Sequence, residues 1–104
     1  MKIFATSDIH GNLELINLLI NEVIKKEQID VLIIAGDIAP KGFDASYTFS
    51  EIKLEQKRGV EKICKSLQET KIPVFMMIGN DDHISGEDWT EILKKYNVLN
   101  LNMT

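Results

Sequence analysis

The sequence predicts an α/β protein, and three observations carry that prediction. Three apolar runs, Ile3-Phe4-Ala5, Val31-Leu32-Ile33-Ile34-Ala35 and Val74-Phe75-Met76-Met77-Ile78, are separated by longer stretches whose apolar residues recur at helical spacing. The second and third runs are apolar at every position, as expected of parallel strands buried on both faces. Each run also ends in a short polar segment that carries a glycine: Asp8-Ile9-His10-Gly11, Gly36-Asp37 and Gly79-Asn80. The predicted order is β-α-β-α-β-α-(β), an α/β class fold.

The first strand is expected over Lys2–Thr6. Asn12 is a good N-cap, Glu14 follows in the first turn where the helix dipole favours it, and Lys25 and Lys26 close the helix with positive charge. Between them Leu13, Ile16, Ile20, Val23 and Ile24 form one stripe, widened by Leu15, Leu18 and Leu19, which predicts a helix over Leu13–Glu27. The strand Val31–Ala35 completes a βαβ unit with a right-handed crossover. A loop follows over Ile38–Ser50, containing Pro40 and Gly42. A second helix is expected over Glu51–Thr70, with Val60, Ile63, Cys64 and Leu67 on its apolar stripe. Gly59 costs about 1 kcal/mol there relative to Ala and marks a place where the helix could break. After the third strand, Ser85 and Asp88 resemble a capping box. Trp89, Ile92, Leu93 and Tyr96 then predict a third helix, and Val98–Leu101 a short fourth strand.

Composition narrows the function classes. The 104 residues suggest one domain or part of one. A net charge of −4 gives no electrostatic basis for general nucleic-acid binding. Cys64 is the single cysteine, which excludes an internal disulfide and fits a reducing compartment. The N-terminus has no signal-peptide pattern and no apolar run reaches membrane-spanning length, so the expectation is a soluble cytoplasmic protein.

The chemistry lies at the strand ends. In a parallel sheet the exits of consecutive strands share one edge, the edge where open α/β sheets bind ligands. Asp8 and His10, Asp37, and Asn80 are thereby brought toward one cavity as carboxylate, imidazole and amide oxygen. Each is explained singly as a turn residue, but their joint order is not. The donor mixture suits Mn, Fe or Zn better than Ca. A carboxylate such as Asp37 can bridge two cations, and a two-metal site can clamp a phosphoryl group while acidifying a water for attack on phosphorus. Such a reaction needs positioning and charge neutralisation more than covalent catalysis.

Asp8-Ile9-His10-Gly11, Gly36-Asp37-x4-Gly42 and Gly79-Asn80-x-Asp82 resemble, in order and spacing, the first three blocks of the calcineurin-like metallophosphoesterases. The resemblance covers roughly residues 1–85. It implies that Asp8 and His10 bind a first metal, that Asp37 bridges both, and that Asn80 binds a second. It implies two divalent ions drawn from Mn, Fe, Zn, Ni or Co, with Mn favoured, and hydrolysis of a phosphomonoester or phosphodiester substrate. It also implies that the β-α-β-α-β-α-(β) chain is half of an α/β/β/α sandwich.

The chain departs from that pattern in three ways. Asp81 stands where many members have a histidine near the leaving group, and Pro40 stands where that histidine's acidic partner would be. This resembles the compact phosphodiesterase branch of the family. Asp81 and His83 are the remaining candidates for a catalytic acid, with a surface loop histidine as the plainer reading of His83. Asp82 is expected to orient His10 or to cap its own loop. Lys41 stands where phosphatases often carry a phosphate-contacting arginine, and reads more simply as an exposed loop lysine.

The third departure is that no histidine follows His83, whereas the family's later ligands include a Gly-His-x-His block. Residues 1–104 are therefore expected to be the N-terminal portion of a metallophosphoesterase domain, weakly active or inactive alone. Three helices can cover both sheet faces only if split between them. A missing C-terminal half, or self-association into a homo-oligomer, is expected to cover any face left bare. The alternative is a non-catalytic protein-binding scaffold with a degenerate metal site.

Overall fold

The computed structural model describes residues 1–79 and 82–101. Four strands, β1 (Ile3–Thr6), β2 (Val31–Ala35), β3 (Val74–Met77) and β4 (Leu99–Asn100), form one parallel sheet in the order β1-β2-β3-β4. The register aligns Phe4 with Leu32 and Leu32 with Val74, and then Thr6 with Ile34 and Ile34 with Met76. Between the strands run helices α1 (Leu13–Leu18), α2 (Phe49–Gln68) and α3 (Gly86–Lys95).

Strands added one after another in the same direction, each by a right-handed crossover, send every connecting helix to the same face. Accordingly α1 packs beside α2 and α2 beside α3. Burial along the strands alternates with a period of two. Leu32, Ile34, Val74 and Met76 are buried beneath the helices, against Ile16, Ile63, Leu67 and Trp89. The opposite face carries Ala5, Val31, Ile33, Phe75 and Met77, with Ile3 58% and Leu99 49% exposed at its margins. The expectation of strands buried on both faces therefore fails. The continuous apolar runs are real, but helices cover only one side of them.

Local chemistry explains the helix limits. Asn12 Oδ1 accepts from the Leu15 amide at 3.0 Å to start α1. Thr48 and Glu51 form a reciprocal capping box that starts α2 two residues earlier than the sequence suggests. Ser85 caps α3 through the Asp88 amide. The first helix does not continue as a regular α-helix to Glu27. From Leu19 to Ile24 it widens into a π-helix, in which Lys25 N–H donates to the Ile20 carbonyl. The five-residue step brings Leu19 and Ile24 to the core together, a consequence of a leucine-rich stripe too broad for a single α-helical line.

Gly59 does not break α2, which is continuous from Phe49 to Gln68. A Cβ at position 59 would overlap Cγ and Cδ of Pro40, so the glycine lets the helix press directly on the proline ring of the β2 exit loop. Cys64 is buried beside Met76, with its Sγ 3.9 Å from the thioether sulfur. Burial, aided by the charge of Glu61, pushes its thiol up to about 12, which makes it an inert core residue rather than a nucleophile.

Helix propensity alone predicts that Gly59→Ala stabilises the protein by about 1 kcal/mol. The Pro40 contact predicts the opposite sign. Overpacking costs about 1–3 kcal/mol, so the variant should melt below the unaltered chain in a thermal denaturation followed by circular dichroism.

Candidate metal centre

The three β-strand exits meet at one end of the sheet, and backbone hydrogen bonds zip the first two together. Asp8 N–H donates to the Gly36 carbonyl at 3.3 Å, His10 N–H to that of Asp37 at 2.9 Å, and Gly11 N–H to that of Ile38 at 2.7 Å. Holding this path places Asp8, His10 and Asp37 in the left-handed region, with φ of 57°, 49° and 53°. Asp and His tolerate that region better than most residues, and strained backbone of this kind clusters at functional sites.

The third exit is tied to the second by a buried carboxylate and two glycines. Asp82, only 7% exposed, accepts from the amides of Gly79 at 2.8 Å, Ala39 at 2.9 Å and Ile38 at 3.4 Å. It thus caps its own loop and braces the loop that carries Asp37. Among the described residues its carboxylate accepts from these three amides and not from His10, which selects the capping role from the two expected of it. A Cβ at Gly79 would overlap the Asp37 amide nitrogen and carboxylate, and one at Gly36 would press on Gly79 Cα at 3.0 Å. Only glycine permits this approach.

The result is a compact donor set. One ligand atom from each of Asp8, His10 and Asp37 lies within 4.8 Å of the others. His10 Nε2 is 3.6 Å from Asp8 Oδ1. The imidazole is largely covered, with its side chain 18% exposed, whereas that of Asp8 is 66% exposed and open to solvent. His10 Nδ1 is buried with no hydrogen-bond partner among the described residues. A buried polar atom left unpaired costs about 1–3 kcal/mol, a cost that coordination of a cation by Nδ1 itself would offset. Two carboxylates and an imidazole therefore fit a divalent transition metal.

Asn80 and Asp81 lie outside the described residues. His83 is not part of the donor group. Its imidazole is exposed, 6.1 Å from the ring of Phe49, and with Lys41, Phe43, Ile52 and Gln56 it lines a cleft of about 170 Å³. Lys41 is exposed, as expected of a loop lysine. Pro40 has a packing role, its ring lying against both Gly11 and Gly59. The residue that sequence reasoning missed is Gln56. It is 1% exposed on α2, accepts from the His83 amide at 2.8 Å and donates to the Pro40 carbonyl at 3.0 Å. A glutamine on the inner side of an otherwise apolar helical stripe was the one available signal.

The family model for calcineurin-like phosphoesterases matches residues 1–103. The chain belongs to that family. A search of the curated proteins finds no match. The match and the Asp8–His10–Asp37 group together establish a metal-dependent phosphoesterase fold, of a family whose members are hydrolases that typically bind divalent metals. The four-stranded parallel sheet with three helices is part of the calcineurin-like phosphoesterase fold. No helix among the described residues is long and apolar enough to cross a membrane.

The contact at Gly79 yields a direct test. Gly79→Ala should destabilise the fold by about 1–3 kcal/mol and weaken any divalent-cation binding at temperatures where the variant remains folded. Isothermal titration at such a temperature separates the two effects.

Proposed function

We propose that this chain carries the metal-binding end of a phosphoester hydrolase in which water, activated by a divalent cation, attacks phosphorus. The observation that carries the reading is the convergence of Asp8, His10 and Asp37 at the strand exits, where one ligand atom from each lies within 4.8 Å of the others. A cation held there would supply Lewis-acid stabilisation of phosphoryl oxygens and acidify a water near neutral pH. Asp37, anchored from both neighbouring loops, would be shared between two ions, and His10 would offer a ring nitrogen to the first. Asn80 is proposed for the second ion. Mn²⁺ is the favoured metal on donor chemistry. Lys41 and His83 line a cleft of about 170 Å³, where they would meet the charged and leaving portions of a phosphodiester, with Asp81 the alternative acid. Because the described donor set holds a single imidazole, turnover by the 104-residue chain alone should be weak.

The test is Mn²⁺ binding and hydrolysis of a generic aryl phosphodiester by the unaltered chain and by Asp37→Asn. The unaltered chain should bind Mn²⁺, with slow turnover, and the variant should bind at least tenfold more weakly. Robust turnover would refute the expectation of low activity, and equal binding by the variant would remove Asp37 from the site. A second reading, a non-catalytic scaffold, draws on one observation. Pro40 packs between two glycines at the position where the family pattern has the acidic partner of the missing histidine. Absence of bound metal together with unchanged function in Asp37→Ala would favour it.

We also propose that the bare apolar face of the sheet is covered by a second copy when this chain is alone in solution. Two such faces can pack about 10 Å apart as a sandwich. Sedimentation should show a dimer, and Ile33→Lys, at the centre of the face, should shift it to monomer. A monomer that binds no hydrophobic dye would count against this.

A further inference from the structure

Gln56 is the buried polar side chain on α2, and both ends of its amide are committed to loops of the metal centre. Its Oε1 accepts from the His83 amide at 2.8 Å, on the loop that leaves β3, and its Nε2 donates to the Pro40 carbonyl at 3.0 Å, on the loop that leaves β2. The Asp37 loop is thus held on three sides. The Asp8–His10 loop is bonded to it through the backbone, Asp82 grips the Ile38 and Ala39 amides, and Gln56 holds the next carbonyl along. Pro40 is pinned further by its ring, which lies between Gly11 and Gly59. Gly59 is one turn beyond Gln56 on the same helix, so α2 grips Pro40 twice, by hydrogen bond and by van der Waals contact.

We infer that Gln56 is a positioning residue for the metal centre, setting the separation of the β2 and β3 exit loops and through it the placement of Asp37. In this role it acts through the two loops and not as a metal ligand. An uncharged amide suits the task because it satisfies one donor and one acceptor at once, which no buried apolar residue and no carboxylate can do. Outer partners that orient metal ligands typically govern affinity by 10- to 100-fold.

The inference rests on the metal-site reading, and one experiment separates the two. Gln56→Met keeps the side chain's volume and removes both hydrogen bonds. At a temperature where both proteins are fully folded by circular dichroism, it should bind Mn²⁺ about tenfold or more weakly than the unaltered chain, with an altered electron paramagnetic resonance pattern of the bound ion. Gln56→Glu, which keeps an acceptor for the His83 amide, should recover part of the loss. A purely structural role would lower the melting temperature and leave Mn²⁺ affinity of the folded protein unchanged, and that result overturns the inference. Should Gln56→Met fail to fold, the unaltered chain decides. Hydrogen exchange of the His83 amide should slow when Mn²⁺ is added, and no change overturns the inference. No Mn²⁺ binding by the unaltered chain overturns the metal-site reading and this inference with it.

Discussion

The approach of Gly79 to Asp37 is the constraint on which the rest of the site depends. The β2 and β3 exit loops lie in contact at the backbone, with no room for a Cβ on Gly79 and only a tight 3.0 Å approach to Gly79 Cα for one on Gly36. Such proximity aims several amide N–H groups into one small volume, and Asp82 answers them with a buried carboxylate that accepts from three. A carboxylate without those donors would be costly to bury, and the donors without the carboxylate would be unpaired. Charge and loop geometry are therefore mutually dependent, and the Asp37 side chain takes its position from both.

The left-handed backbone at Asp8, His10 and Asp37 follows from the same packing. Each residue lies where its strand has ended and the chain must turn sharply, yet two of the turns are bonded to each other. Glycine would relieve the conformational cost at any of these positions but would remove the donor side chain. Asp and His reconcile the two demands, because their short polar side chains are among the best tolerated in that region. The identity of the residues is thus set twice, once by the turn and once by the chemistry.

Much of this architecture was legible in the sequence, for definite reasons. Apolar runs of strand length and stripes of helical spacing gave the element order, and the glycine-bearing exits gave the site its edge. Three features were not legible. The π-helical widening at Leu19–Ile24 replaces an α-helical stripe because two spacings fit the same leucines. Gly59 reads as a weak point in any helix-propensity argument, and only the position of the Pro40 ring reveals it as a contact. Gln56 lies 16 residues from Pro40 and 27 from His83, so its two bonds exist only once β2, α2 and β3 are packed. Pro40 itself reads from the family pattern as a missing acid, whereas in the fold it is a wedge.

The open side of the sheet and the exposed character of the site have one common origin. Open α/β sheets usually bind ligands in a crevice formed where the strand order reverses, because the loops on either side of that point diverge to opposite faces. The described strands run β1-β2-β3-β4 without reversal. Successive exit loops therefore lean the same way and pack on one another, which yields a dense knot of hydrogen bonds rather than a deep crevice. The same order sends α1, α2 and α3 to a single face and leaves Ile33, Phe75 and Met77 without a covering layer. A site assembled in this manner can hold its donors rigidly while leaving Asp8 open to solvent.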